Sequence, residues 1–164
     1  KACPSFDDYR QGDAISFESG CGGYGYNDRY IGGRYDLYTS IPGMPDANAP
    51  SRHSAKNVDV VQPASTVMFT DTAFVTTAQA RFIEYSFAHP PYWSMYGSQS
   101  RPNPTIHFRH LDQAAVVWVD GHVSREDLDF SADYQTHAPI TGDEAKAMAL
   151  GWFGPDSNEL FDLR

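Results

Sequence analysis

Residues 108–123 decide the fold and read Phe108-Arg109-His110-Leu111-Asp112-Gln113-Ala114-Ala115-Val116-Val117-Trp118-Val119-Asp120-Gly121-His122-Val123. The apolar run at 114–119 predicts a buried strand, because a strand covered on both faces carries few polar side chains. Asp120-Gly121 predicts a two-residue type I′ turn after it, since both positions of that turn need a positive φ. Residues 105–109 predict a preceding strand, so that 105–119 forms a hairpin through 111–113.

The same stretch carries residue types that hold metals or move protons. His110, Asp120 and His122 suit zinc or iron, and Asp71 ends another predicted strand. An extended strand over 114–119 spans roughly 20 Å, so His110 and Asp120 lie at opposite ends of it and cannot share an ion. The pattern therefore favours structural roles: His110 fixes the start of the strand, Asp120 forms the turn, and Asp71 caps a strand end.

Composition excludes several classes of protein. The chain has 164 residues and a formal net charge of −9, which disfavours binding to nucleic acid or to anionic lipid. No run approaches the roughly 18 apolar residues of a membrane span. The length suits one globular domain, 1–164, with a substantial core. Frequent Gly and Pro residues predict short strands and many loops.

The remaining elements are predicted from local patterns. Residues 66–70 and 82–87 predict strands, and 58–61 is either a short strand or the approach to a loop. Thr141 and Glu144 form a capping box that predicts a short helix through Ala149, with Gly151 as its stop. The polar, Pro-rich segments 40–56 and 88–104 predict long loops.

The 88–104 loop is unusually aromatic. Tyr92, Trp93 and Tyr96 suit a stacking platform for a glycan, whereas the competing interpretation is that these rings cover the core where strands are short. The sequence has no Gly-x-Ser-x-Gly elbow and no phosphate-binding Gly-rich loop before a helix. No self-consistent active site emerges, so we expect no enzymatic activity and no cofactor.

Acidic loops also suggest calcium as a ligand. Asp28, Asp36 and residues 156–159 are oxygen-rich, yet none of these segments matches a defined calcium loop.

Cys3 and Cys21 are the two cysteines, and an even count in an acidic, Pro/Gly-rich chain is compatible with a disulfide in an exported protein. Such a bond closes a loop of about 19 residues and stabilises by roughly 3 kcal/mol in the chain-entropy model. The alternative is that both residues remain thiols.

His110, the nine residues after it and Asp120-Gly121-His122-Val123 resemble the signature of the prepilin-type processing-associated domain, which is named for a His-x9-Asp-Gly pattern. Two further patches resemble that family: the opening, with Cys3-Pro4-Ser5 and Tyr24-Gly25-Tyr26-Asn27, and the strand that ends in Asp71. The resemblance covers residues 3 to about 124 in scattered patches, and 125–164 reads as a C-terminal extension.

This resemblance implies an α+β head domain of pilin or pseudopilin type, with an antiparallel sheet packed against a long N-terminal helix. The helix would precede Lys1, and it would itself be preceded by a leader that a prepilin peptidase removes. The implied function is that of a structural subunit in a type II secretion or type IV pilus-like assembly, anchored in the inner membrane with its head in the periplasm. Its implied partners are other pilin-like subunits.

Two alternatives remain beside this interpretation. The first is a cell-envelope module that binds a glycan or a protein through the 88–104 loop. The second is a metal-dependent hydrolase built on His110, Asp120 and His122.

Overall fold

The computed structural model describes residues 3–7, 20–37, 53–76, 81–95, 98–134 and 140–164. In chain order the elements are α1 (Pro4–Asp7), β1 (Tyr24–Tyr26), β2 (Val67–Asp71), β3 (Phe74–Thr76), β4 (Arg81–Ile83), β5 (Trp93–Met95), β6 (Ser98–Ser100), β7 (Ile106–His107), β8 (Gln113–Trp118), β9 (Val123–Asp127), α2 (Gly142–Ala147) and β10 (Leu150–Gly151). Single 3₁₀ turns occur at Tyr35–Leu37 and Asn57–Asp59.

The largest sheet has four antiparallel strands in the order β1-β2-β8-β9. β8 pairs along its length with β9, from Gln113 opposite Asp127 to Val117 opposite Val123, and with β2 on its other side. Three two-stranded sheets, β3-β4, β5-β6 and β7-β10, surround it. The central position of β8 explains why its sequence is so apolar.

The α+β head of pilin type is wrong as a prediction of fold class. The described part of the chain is mostly antiparallel β-sheet, with two short helices. The physical reason is local: Gly and Pro interrupt the chain too often for a long helix, and only 141–147 combines a capping box with helix formers. Within the described ranges, no helix is long and apolar enough to cross a membrane.

The C-terminal segment supplies the cover over the inner face of the main sheet. Ala114, Val116 and Trp118 alternate inward along β8. They belong to one core cluster that also contains Val67 and, from the C-terminal segment, Trp152, Phe153, Phe161 and Leu163. Burial of a side chain such as Phe161 contributes roughly 1.5–3 kcal/mol. The predicted extension at 125–164 is therefore built into the same core as the sheet.

Several predicted elements are confirmed and others are wrong. The strands at 66–70 and 114–119 appear as β2 and β8. The hairpin of 105–109 with 114–119 does not form, because β7 pairs with β10 instead. The strand predicted at 82–87 is shorter, since β4 ends at Ile83. Of the loop predicted at 40–56, residues 40–52 lie outside the described residues.

The predicted helix exists, but its stop lies elsewhere. Thr141 caps α2, and its side chain accepts a hydrogen bond from the Glu144 amide. The chain leaves the helix at Ala149, which has a φ of 55°. Gly151 lies in β10, where a Cβ would stand 2.2 Å from the Phe130 carbonyl oxygen. This glycine is therefore required for close strand packing, and not for a helix end.

The two turns that flank β8 differ from the prediction, because the turn with two positive φ angles precedes β8 and does not follow it. Leu111 and Asp112 have φ angles of 59° and 62° and form the tight two-residue turn between His110 and Gln113. At the other end, Gly121 has a φ of 93°, whereas Asp120 is not among the residues with positive φ. The type I′ turn predicted at Asp120-Gly121 is therefore wrong, and a looser turn with a left-handed glycine takes its place.

Candidate functional site

A buried ion pair lies where β2 ends and the chain turns into β8. Arg109 and Asp71 are both fully buried, and Arg109 Nη2 donates to Asp71 Oδ1. Asp71 is the last residue of β2, and Arg109 lies two residues before Leu111, where the turn into β8 begins. Because an uncompensated charge in this position would be very costly, the two residues depend on each other.

The Arg109 guanidinium is held by three further segments. Its Nη2 donates to the Gly23 carbonyl at 2.7 Å, and its Nη1 donates to the Thr72 carbonyl at 3.3 Å. Its Nε donates to the sulfur of Cys3 at 3.4 Å. The planar fork of an arginine suits such a multiple contact, which a lysine cannot reproduce. Arg109 therefore ties α1 and the β1–β2 edge to the start of β8.

The Asp71 carboxylate continues the sheet where the backbone ladder stops. Its Oδ2 accepts a hydrogen bond from the Ala115 amide at 2.8 Å. The neighbouring Thr70 donates its hydroxyl to the Ala115 carbonyl at 3.1 Å. Two side chains of β2 thus satisfy both backbone groups of one residue of β8. Because the Asp71 carboxylate accepts hydrogen bonds from both Arg109 and Ala115, it stabilises the fold at this point.

His110 joins this cluster from its rim. Its Nε2 lies 3.2 Å from Asp71 Oδ2 and 3.6 Å from Cys3 Sγ, and its side chain is about one-third exposed. A nucleophile–histidine–carboxylate triad needs one ring nitrogen for the nucleophile and the other for the carboxylate. Here a single nitrogen faces both groups. The cluster therefore lacks the geometry of a thiol-based triad. We call Cys3, Asp71, Arg109 and His110 the buried end of β8.

Three of these residues also offer metal-ligand atoms. The ligand atoms of Cys3, Asp71 and His110 lie within 4.8 Å of one another. The Arg109 guanidinium, however, occupies the position next to both Asp71 and Cys3. A divalent cation would be placed against a buried positive charge, and it would have to displace hydrogen bonds that the fold uses. The donor set does not fit a resident metal.

The disulfide predicted between Cys3 and Cys21 is not formed in the structure. The Cys3 amide donates to the Gly22 carbonyl at 2.9 Å, so the two segments are neighbours. The Cys3 sulfur nevertheless lies next to the side-chain nitrogens of Arg109 and His110. The disulfide stays a prediction, and in this conformation the Cys3 sulfur contacts Arg109 and His110 instead.

The other end of β8 holds the second half of the motif. His122 Nδ1 lies 2.7 Å from Asp120 Oδ1, and the same oxygen accepts the His122 amide at 3.0 Å. These hydrogen bonds, the backbone one first, hold the pKa of Asp120 below its usual value. The His122 ring stacks on Trp118 at 5.6 Å between centroids. We call Trp118, Asp120, Gly121 and His122 the exposed end of β8.

As expected from strand geometry, the structure does not bring His110 and Asp120 together. Each pairs with a different partner at its own end of β8. Asp71 is brought to His110, which gives its predicted strand-end role a specific partner. The motif therefore contributes to two separate polar sites, and His110 and Asp120 do not belong to the same one.

The motif residues near the start of the described chain also hold the fold. Asn27 is fully buried, and its Nδ2 donates to the carbonyls of Val67 and Phe161 at 2.9 and 2.8 Å. It thereby links β2 to the C-terminal segment. Tyr26 packs on Phe69 at 5.0 Å between ring centroids. Tyr24 is partly exposed, and burial, followed by nearby Cys3, raises its pKa.

The aromatic loop is docked against the protein. Arg29 lies between the rings of Trp93 and Tyr35, 4.1 and 4.3 Å from their centroids. Trp93 is therefore engaged in a cation–π stack, and it does not form an open platform. Tyr92 lines a surface cleft. Tyr96 lies outside the described residues.

Three of the acidic residues considered for calcium are paired with arginines. Asp36 accepts from Arg34 at 2.9 Å, and Asp156 accepts from Arg101 at 2.8 Å. Asp28 lies 3.4 Å from its neighbour Arg29. Burial raises the pKa of Asp28 to about 6, with Arg29 opposing the shift. Each of these carboxylates already faces a cation of the chain itself.

The sequence did not reveal the importance of Arg109. It stands between Phe108 and His110, and nothing in its spacing points to Asp71, 38 positions away. The signal that could have found it is chemical: a basic residue beside a predicted buried strand needs an acidic partner, and Asp71 at a strand end is a natural candidate.

Comparison with known proteins gives no relative. No family model matches the chain, and neither the curated proteins nor the solved structures contain a match. The resemblance to the His-x9-Asp-Gly domain therefore rests on the motif residues alone.

Proposed function

We propose that this chain is a non-enzymatic structural subunit of a pseudopilin-like assembly in the cell envelope. The observation that carries the proposal is that the motif residues hydrogen-bond different parts of the fold to one another. Asp71, Arg109 and His110 form hydrogen bonds that join α1, β1, β2 and β8, and Asn27 joins β2 to the C-terminal segment. Side chains with this many hydrogen bonds inside the protein are suited to holding a domain together.

The proposal rests on the motif and not on the fold, which is β-rich and unlike the head expected. A compact acidic domain with a net charge of −9 suits display on the outer surface of an assembly, where like charge limits unspecific association. The partners are then other pilin-like subunits, and the prepilin peptidase acts on the precursor.

The decisive experiment follows the full-length precursor in the cells that produce it. A short epitope is added after Arg164, whose side chain is exposed. We expect the tagged protein in the filament fraction sheared from the cell surface, and its loss from that fraction when the prepilin peptidase gene is deleted. Recovery as a soluble monomer, independent of the peptidase, would contradict the proposal.

A second measurement addresses catalysis directly. The purified chain is assayed against generic ester, phosphate and glycoside substrates, with and without added zinc or manganese, beside the variant His110→Ala. We expect no turnover by either protein. Turnover that His110→Ala abolishes would identify an enzyme and would rule out a purely structural role.

A further inference from the structure

A cleft of about 630 Å³ lies between the C-terminal segment and the aromatic loop. Its lining includes Tyr30, Tyr92 and Gln99, and from the C-terminal segment residues 156–159, 162 and 164. The size falls within the range of small-ligand sites, roughly 300–1,000 Å³. The lining is mostly polar, which indicates a ligand rich in hydrogen-bonding groups.

Asn158 fixes the two walls to each other. Its Oδ1 accepts the Tyr92 amide at 2.9 Å, and its Nδ2 donates to the Tyr92 carbonyl and to the Tyr30 hydroxyl, both at 2.7 Å. Both donor positions of this amide and one acceptor position of its oxygen are therefore used within the protein. Asn158 acts as a frame, and the cleft is formed before any ligand arrives.

The Tyr92 ring is braced from behind. Arg101 lies over this ring, 4.4 Å from its centroid, and also donates to its hydroxyl. Arg101 is in turn held by both oxygens of Asp156, at 2.8 and 2.9 Å. Arg101 does not line the cleft, whereas Tyr92 does. Tyr92, which lines the cleft, is therefore held in a fixed orientation.

Other polar groups of the lining are exposed and directed to solvent. Gln62, Gln99 and Glu159 are exposed, and among the described residues their side chains have no hydrogen-bond partner. Two amides and a carboxylate provide both donors and acceptors. Vicinal hydroxyls, which both donate and accept, match such a set.

The charge of the lining selects among hydroxyl-rich ligands. Asp156 is held by Arg101, and Asp162 lies 3.8 Å from the Arg164 guanidinium. Among the described residues of the lining, Glu159 keeps a carboxylate with no arginine partner, and its charge disfavours phosphates, sulfates and uronic acids. The Tyr92 ring offers an apolar surface to the C–H face of a sugar ring.

We propose that this cleft binds a neutral saccharide, with the sugar ring on Tyr92 and its hydroxyls on Gln99 and Glu159. The site differs from the Trp93-centred platform that the sequence suggested, because Trp93 is engaged with Arg29. The proposal does not depend on the assembly role: a structural subunit and a free-standing module could both carry such a site.

The test titrates the full chain with neutral sugars and reads the backbone amides of Tyr92, Gln99 and Glu159 by ¹H–¹⁵N NMR. The probes are glucose, galactose, mannose, N-acetylglucosamine, maltose and cellobiose, with glucuronate as the anionic counterpart. We expect at least one neutral sugar to shift these amides in a saturable way, with a Kd between about 10 μM and 10 mM. We expect glucuronate to bind at least about tenfold more weakly than glucose.

Variants locate the binding. Gln99→Ala and Glu159→Gln each remove a hydrogen-bonding or charged group from an exposed position and should weaken binding about tenfold. Tyr92→Ala should abolish stacking, whereas Tyr92→Phe keeps the ring and should retain binding. The matched control is Asp143→Asn, the loss of an exposed carboxylate on α2 that does not line the cleft. It should leave the Kd unchanged.

Three results would overturn the proposal. The first is that no neutral sugar shifts the cleft amides. The second is that Glu159→Gln and Asp143→Asn have equal effects. The third is that calcium alone produces the amide shifts while sugars do not, which would make the cleft a cation site. The epitope experiment on the precursor is unaffected by any of these results, so the two proposals fail separately.

Discussion

The two ends of β8 contain the same residue types in opposite environments. Each has an aspartate paired with a histidine, at 3.2 Å at the buried end and 2.7 Å at the exposed end. At the buried end the aspartate also neutralises Arg109 and replaces a backbone acceptor for Ala115. At the exposed end the side chain of Asp120 accepts hydrogen bonds within its own turn, and the His122 ring stacks on Trp118. The shorter contact is therefore the less important one, because burial and the number of partners decide the energy.

The largest effect is expected when the buried pair is broken. Asp71→Asn or Arg109→Met leaves the partner as an uncompensated buried charge and should lower the free energy of unfolding by roughly 3–5 kcal/mol. Urea unfolding followed by circular dichroism measures the loss. Removing both charges together, as Asp71→Asn with Arg109→Met, should cost less than the sum of the single changes.

Single losses below about 1 kcal/mol would show that water reaches the pair, and the contrast between the two ends would then be false. The chemically identical change at the exposed end, Asp120→Asn, serves as the control in the same buffer.

Acid should destabilise the protein through His107, which lies next to the buried end of β8. His107 lies two residues before Arg109 and is fully buried, and burial, then Arg109 and His110, lower its pKa to about 3. The unfolded chain takes up a proton near pH 6.5 that the folded chain refuses. Its contribution to stability is therefore fully present above about pH 6.5 and is lost as the pH falls toward 3, with roughly 2 kcal/mol gone at pH 5.

NMR titration of the His107 ring protons checks this expectation, together with urea unfolding between pH 7 and about pH 5. The ring should remain neutral across that range while stability declines. Titration of this ring near pH 6.5 in the folded protein would mean that the buried end is open to water.

The turns at the two ends should respond in opposite directions. Leu111 is 91% exposed at a φ of 59°, so its side chain gains nothing from a conformation that strains its backbone. Leu111→Gly should stabilise the protein by about 1 kcal/mol. Gly121→Ala should destabilise by a similar amount of about 1 kcal/mol, because a φ of 93° strains the backbone of any residue with a Cβ. No steric clash adds to this cost, since a Cβ at this position would meet no atom within 4 Å.

Thermal melting of the two variants beside the parent protein measures both signs. If Leu111→Gly lowered the melting temperature, the tight turn at the buried end would not have the left-handed geometry described for it.

The sequence reveals β8 and the polar character of both its ends, because an apolar run bounded by polar residues is a local signal. It reveals α2 equally well, since Thr141 and Glu144 lie within one turn of each other. The pairing of Arg109 with Asp71 cannot be predicted in this way, because 38 positions separate the two residues and only the packed sheet brings them together.

The remaining errors have the same origin. A type I′ turn is easily assigned to Asp120-Gly121, whereas Leu111-Asp112 contains no glycine and adopts that turn under tertiary constraint. β7 pairs with β10 across more than 40 positions, although the neighbouring β8 was the obvious partner. The α+β head of pilin type was implied by resemblance to a family, and the structure is mostly antiparallel β-sheet instead. Local chemistry was predicted well, and long-range partners were not.

The smallest effect is expected from Asp120→Asn. The lowered pKa of Asp120 shows that its hydrogen bonds to His122 favour the charged form. The resulting stabilisation is present above the unfolded pKa of about 4 and is lost as the pH falls through the lower folded pKa. The parent should therefore melt slightly above Asp120→Asn at pH 7, and the two should converge at about pH 2. Added salt at about 1 M should also reduce the difference, because the Asp120 side chain is exposed to solvent. A difference as large as that of Asp71→Asn would mean that position along β8, and not burial, sets the energy of these pairs.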